Sequence, residues 1–167
     1  MPLLDAQVTL GTGPHGGAVV AVQAIAPGMP VLKITGSPGN TPSKYTIQIG
    51  AQVHVLPDSQ LWRWINHSCA PNCHIDFCTW SCVTSRAIQR DEELTFNYLT
   101  TEWDMAEPFV CRCGAANCYG CIAGFRYLAP ARQVSLAPHC APHLLSLWRA
   151  DALARLQTTG RPAGHGP

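Results

Sequence analysis

The sequence predicts a mainly β fold: short strands in small sheets, followed by a cysteine-rich loop and a terminal helix. Three observations carry this expectation. Apolar runs in the first half are only four or five residues long and stop at Gly or Pro. Cysteines crowd between positions 111 and 121. Sustained helical spacing of apolar residues is confined to 143–157.

Residues 18–22 form an apolar run between the Gly-rich stretch 11–17 and the turn Ala26-Pro27-Gly28. Residues 31–34 end at Gly36, residues 46–49 alternate and end at Gly50, and residues 53–56 end at Pro57. Residues 61–65 make about one helical turn. Residues 74–79 and 81–86 pair as a hairpin around Trp80, and 94–98 is a further strand. Residues 22–28 echo 85–91: each ends a strand, turns and starts another, which reads as one strand–turn–strand unit used twice. Residues 98–110 read as irregular with a short helix, and 129–142 as a Pro- and Ala-rich connection. In 143–157, Leu145, Trp148, Ala152 and Leu156 share one face, as expected of a helix packed on the core. Residues 158–167 are Gly- and Pro-rich and expected to be disordered.

Composition bounds the function. A chain of 167 residues with 47% apolar and 13% charged residues suits one domain with a tail, not a disordered chain. Eleven basic against ten acidic residues, a net charge of +1, argue against nucleic-acid binding through bulk charge. The first ten residues lack the basic and apolar regions of a secretory signal, and no apolar run approaches the roughly 18 residues of a membrane span. An odd count of nine cysteines cannot pair completely. The expected address is therefore a reducing compartment, nuclear or cytoplasmic, where clustered cysteines more often hold metal than form disulfides.

Cys111, Cys113 and Cys118 form C-x-C-x4-C, which supplies three soft ligands for Zn²⁺ from one loop. The fourth position is open to Cys121 or to Cys69, Cys73, Cys78 or Cys82 from elsewhere. Cys73, Cys78, Cys82 and Cys140 otherwise read as small buried residues. Cys118 and Cys121 also have C-x-x-C spacing, but no βαβ pattern surrounds them to favour redox chemistry.

Three motifs stand in order: Asn66-His67-Ser68-Cys69-Ala70-Pro71-Asn72-Cys73, then Asp91-Glu92-Glu93-Leu94-Thr95-Phe96-Asn97-Tyr98, then the cysteine cluster. The set resembles the SET-domain protein-lysine methyltransferases from about Gly11 to Phe125, in particular the small stand-alone members. The resemblance implies a SET-domain fold with a pseudoknot over residues 7–110, a post-SET zinc segment over 111–127 and a C-terminal extension with a helix over 128–157. It implies that Asn66 and His67 hold S-adenosylmethionine at its adenine end, with Gly16, Gly17 and Ala18 where backbone approaches its methionine moiety. It implies Tyr98 as the catalytic tyrosine, with Phe96 beside it in the lysine channel influencing how many methyls are added. Cys69 would complete a zinc site with Cys111, Cys113 and Cys118. Cys121 matches no family ligand and reads as a free thiol.

The implied reaction is in-line transfer of a methyl to a neutral lysine ε-amine of a protein partner. Histone tails are the commonest association of the family; no nucleic acid and no membrane are expected as partners. Ala18 departs from the family's second Gly, Asn97 from its Asp, and Asp91 from a turn Gly. Ala18 keeps a second reading alive, a catalytically weak SET-fold module that binds or scaffolds proteins. A third is a zinc-stabilised interaction domain without cofactor. Glu92, Glu93, Glu102, Asp104 and Glu107 flank Tyr98, as either an acidic channel mouth or a solvated charged loop.

Overall fold

The computed structural model describes residues 4–159. The expected tail lies outside the described residues from 160 onward, while 158–159 close the last helix. The chain opens with the hairpin of β1 (Val8–Gly13) and β2 (Gly16–Ala21), antiparallel from Val8↔Ala21 to Gly13↔Gly16. The Gly-rich stretch 11–17 is thus mostly strand. Its signal is weak because β1 turns outward: Val8 is buried, but Leu10 is 50% exposed.

β3 (Pro30–Lys33), β4 (Gly36–Gly39), β5 (Ile47–Gln48) and β6 (His54–Pro57) come next. β4, β6 and β5 form one antiparallel sheet in that order. β4 carries Gly and Pro where a strand is not expected; it is an edge strand, paired on one side only, where Pro is tolerated. The expected helical turn is a 3₁₀ turn over Gln60–Trp64, anchored by buried Trp62 donating from Nε1 to the Lys33 carbonyl at 2.9 Å.

β7 (Asn66–His67) precedes the predicted hairpin of β8 (Cys73–Asp76) and β9 (Ser81–Thr84), which extends β3 into a three-stranded sheet. β10 (Thr95–Phe96) pairs parallel to β7, and a 3₁₀ turn over Tyr98–Thr100 begins almost at once. β11 (Phe109–Val110) and β12 (Cys121–Ile122) bracket the cysteine loop as a small antiparallel pair. Two helices close the described chain, α1 (Pro130–Leu136) and α2 (Pro142–Thr159). The prolines of 129–142 hide α1 in the sequence. Pro130 sits in the first turn, where its missing N–H costs nothing. No described helix is long and apolar enough to cross a membrane.

Two cores result. The first gathers Val19, Val31, Leu32, Ile65, Ile88, Leu94 and their neighbours. The second gathers Cys69, Leu99, Ile122, Phe125, Leu136, Ala141 and Leu144. Tyr98 and Phe77 pack against both. Only the first half of α2 serves the second core, through Leu144, Leu145 and Trp148; Ala152 and Leu156 of the expected stripe are exposed, the latter 69%. Cys73, Cys82 and Cys140 are buried as expected, but Cys78 is exposed in the hairpin turn and is not core filler.

The two echoing segments bond to each other. Ile25 and Ile88 exchange both backbone bonds at 2.9 Å. Gly28 N–H donates to the Thr84 carbonyl and Asp91 N–H to the Ala21 carbonyl, each at 2.8 Å. Gly28 and Asp91 hold equivalent left-handed positions, at φ 76° and 64°. That conformation costs an ordinary side chain about 1–2 kcal/mol. Space is not the issue, since nothing lies within 4 Å of a Cβ built on Gly28. In urea unfolding, Asp91→Gly is expected to gain up to about 1 kcal/mol and Gly28→Val to lose about 2 kcal/mol, with Gly28→Asp costing less than Gly28→Val.

Candidate active site

The parallel pair β7–β10 sets Asn66 against Thr95 and His67 against Phe96. Two residues per strand make a weak ladder, so side chains reinforce it. Buried Asn72 donates from Nδ2 to the Glu93 carbonyl at 2.7 Å and accepts from Thr95 N–H at 2.8 Å. Asn97 Oδ1 accepts from Leu99 N–H at 3.1 Å and caps the turn that starts at Tyr98. An amide serves this cap as well as the family's Asp would.

Two cavities meet at Tyr98. An open groove of about 790 Å³ is lined by Gly17, Trp64, Asn66, His67, Tyr98 and Phe109, among others. A smaller channel of about 40 Å³ is lined by Tyr45, Trp62, Ile65, Phe96, Tyr98 and Glu102, and shares Lys44, Tyr45, Arg63, Tyr98 and Met105 with the groove. The Tyr98 hydroxyl donates to the Ile65 carbonyl at 2.6 Å, and its ring lies 4.9 Å from that of Phe96. Burial, with the charges of Glu102 and Glu93 behind it, holds the phenol above its usual range and therefore protonated.

The groove wall is built on close approach. A Cβ on Gly17 would collide with the Trp64 ring, so glycine there lets that half-exposed indole line the groove. Asn66 commits both amide hydrogens to protein: Nδ2 donates to the Gly17 carbonyl at 3.0 Å and to Glu93 Oε1 at 2.7 Å. Its Oδ1 accepts no bond among the described residues. Gly16 forms the hairpin turn at φ 110°. Ala18 is fully buried and is not among the groove-lining residues.

His67 joins the groove to the cysteines. Its Nδ1 accepts from Tyr98 N–H at 3.1 Å, which leaves the hydrogen on Nε2, 3.2 Å from the Cys69 sulfur. Burial brings its pKa down to about 4. The sulfurs of Cys69, Cys111, Cys113 and Cys118 lie within 4.8 Å of one another, with Cys69 3.8 Å from both Cys111 and Cys118. Burial resists ionisation of Cys113, but the Ala115 N–H and the neighbouring sulfurs bring it down to about 6. Tyr119 N–H donates to the Cys69 sulfur and Gly120 N–H to that of Cys118, each at 3.4 Å. Cys121 is exposed on β12 and stands outside this group.

The acidic cluster divides. Glu92 pairs with Arg86 at 2.6 Å and Asp104 with Arg126 at 3.2 Å, both at the surface. Glu93 binds Asn66, Glu107 lines the groove, and Glu102 alone of the five lines the channel. The five therefore do not form a common mouth. Sequence reasoning misses Trp64, Phe109 and the channel position of Glu102; half-exposed aromatics at strand and turn ends are the signal that was there to read.

In ¹⁵N spectra His67 is expected as one neutral Nε2–H tautomer from about pH 8 to about pH 5, given its lowered pKa. An Nδ1–H signal, or imidazolium at about pH 6, would contradict the bridge.

A family model for the SET domain matches residues 33–99. "Methyltransferase flvH" of Aspergillus flavus is 37% identical over 121 residues, 71% of this chain and 67% of that protein. An H3 lysine-36 specific histone-lysine N-methyltransferase of Aspergillus fumigatus is 40% identical over 53% of this chain; the chain spans only 10% of that protein. Crystal structures of KRYPTONITE with SAH are similar over 66% of this chain and 27–28% of theirs, at 27–28% identity and TM-scores of 0.50–0.51; one holds mCHG DNA, the other mCHH DNA and an H3(1-15) peptide. Fold, motif order and relatives agree: this chain belongs to the SET-domain family of protein-lysine methyltransferases.

Proposed function

We propose that this chain transfers methyl groups from S-adenosylmethionine to the ε-amine of lysine in a protein substrate, with a histone tail as the leading class. The observation that carries the reading is the meeting of groove and channel at Tyr98. A donor in one and an amine in the other would meet beside that ring. SAH in the KRYPTONITE structures supports the donor, and the H3 peptide in one of them supports a protein tail.

The groove's residues fit the cofactor. Gly17 keeps the wall clear, Asn66 Oδ1 is free to accept, and Trp64 and Phe109 offer apolar faces. S-adenosylmethionine, when bound, supplies the methyl as a sulfonium. The protein's part is to align, which can be worth about 7–11 kcal/mol of barrier. Tyr98 and the Ile65 carbonyl hold partial negative charge where groove meets channel. Phe96 rather than tyrosine at the channel wall leaves room for more than one methyl. Ala18, buried off the groove, gives no reason to favour a catalytically weak module.

The four cysteines fit zinc. Zn–S bonds of about 2.3 Å in a tetrahedron require sulfurs about 3.8 Å apart. The separations of Cys69 from Cys111 and Cys118 match this, and backbone N–H groups reach two of the sulfurs. Zinc, when bound, ties residues 111–127, read as the post-SET segment, to the SET domain of 7–110. The 128–157 extension packs beside it.

Two outcomes are expected. On a lysine-peptide array with labelled cofactor, wild type should transfer methyl and reach at least dimethyl-lysine. Folded Tyr98→Phe should lose about 10²-fold or more, as when an oriented polar group at the reacting centre is removed. Equal rates would refute the role of Tyr98. For metal, Cys69→Ser should lose zinc in elemental analysis while Cys121→Ser keeps it; the reverse result would assign the fourth ligand to Cys121.

A further inference from the structure

An attacking amine must be neutral, yet a lysine keeps its proton up to about pH 10.4. The methyl-transfer reading therefore needs somewhere for that proton to go. Tyr98 is a poor acceptor. Its hydroxyl is already a donor to Ile65, and burial, with the nearby carboxylates, disfavours its ionisation.

Glu102 is the one carboxylate among the described channel-lining residues. It is 9% exposed and its backbone is fixed at both ends: its N–H donates to the Tyr98 carbonyl at 3.0 Å and its carbonyl accepts from Phe125 N–H at 2.9 Å. Its carboxylate is pinned through one oxygen only. Oε1 accepts from Gln48 N–H at 2.9 Å and from the Thr101 hydroxyl at 3.2 Å. Oε2 accepts no bond among the described residues. A carboxylate that lines the channel and is held by one oxygen leaves the other without a protein partner among the described residues.

We infer that Glu102 is the proton acceptor for the incoming amine, acting through Oε2; the inference rests on the methyl-transfer reading. Oε2 takes one proton from the ammonium, leaving a carboxylic acid and a neutral amine. The amine lone pair forms the new N–C bond while the C–S bond breaks, its electron pair staying on sulfur. The methylated amine leaves as an ammonium, and the acid returns its proton to water. Burial supports this by bringing the carboxyl up to about 7, where it exchanges with solvent near neutrality. The titratable groups that line the same channel are Tyr98, Tyr45, Lys44 and Arg63. Behind it lie His143, whose ring bonds the Thr101 carbonyl, and His54 opposite Gln48.

The pH effect has a definite sign. Below about pH 7 Glu102 is protonated and cannot accept, so the rate should rise through that pH and level off. Glu102→Gln keeps an acceptor for Gln48 N–H but cannot take the proton. On a peptide that wild type methylates, its single-turnover rate near pH 8 should fall about 10²–10⁴-fold. That rate should then keep climbing toward the amine's own pKa of about 10.4. Glu102→Asp should retain the wild-type limb near neutrality at a lower rate.

A second measurement does not use activity. The sequence has four glutamates, Glu92, Glu93, Glu102 and Glu107, so Glu102→Gln identifies the Glu102 carboxyl in ¹³C spectra. That resonance should move on addition of n-butylammonium chloride at about pH 8. A Glu102→Gln rate and pH profile like wild type, or a resonance indifferent to n-butylammonium, overturns the inference. If wild type methylates no lysine peptide, the methyl-transfer reading fails, and the resonance alone decides whether Glu102 meets an amine.

Discussion

A parallel pairing of two residues per strand, Asn66–His67 with Thr95–Phe96, holds the molecule together at its functional centre. So short a ladder has little stability of its own. It persists because each end is tied elsewhere. Asn72 fastens the segment before β10, Ser68 N–H reaches the Phe96 carbonyl at 3.2 Å, and His67 reaches Tyr98 and Cys69. The two cores join along this line, and Tyr98 packs against both. The site is therefore a seam, and loosening either core displaces the tyrosine.

His67 carries the coupling in one ring. Its two nitrogens face the Cys69 sulfur and the Tyr98 backbone, and burial keeps it neutral so that each nitrogen has one role. A residue assigned from family likeness to the cofactor's adenine end thus also orients the cysteine cluster. A partner of this kind fixes the orientation of a ligand as firmly as the ligand fixes a metal.

Much of this is legible in the sequence, and the misses have causes. Short apolar runs place β3, β6, the β8–β9 hairpin and β10 nearly correctly, because each buries one face. β1 and β4 escape notice since one is exposed and the other is a Gly/Pro edge, so neither shows alternation. α1 escapes because Pro130 reads as a breaker until it is known to begin a helix. Asn66, His67, Tyr98 and Cys69 are legible only through ordered motifs, whereas the spacing of Cys111, Cys113 and Cys118 marks those three on its own. Glu102 is visible as a charge but not as a buried one, since its burial depends on Gln48 and Phe125, brought in from two distant parts of the chain.

The reciprocal bonds between 22–28 and 85–91 carry a further meaning. Residue i meets j and j meets i, which is the signature of an isologous contact between two like subunits. Here both partners lie in one polypeptide, so the centre of the fold is built like a homodimer made covalent. A two-fold scaffold of this kind is indifferent to which copy does the chemistry. The symmetry breaks only beyond the two turns. After Gly28 the chain enters the sheet of β3 and contributes packing, whereas after Asp91 it enters β10 and delivers Phe96 and Tyr98. One half serves as frame and the other delivers the side chains of the site, and the frame bears on the site only through the core that both share.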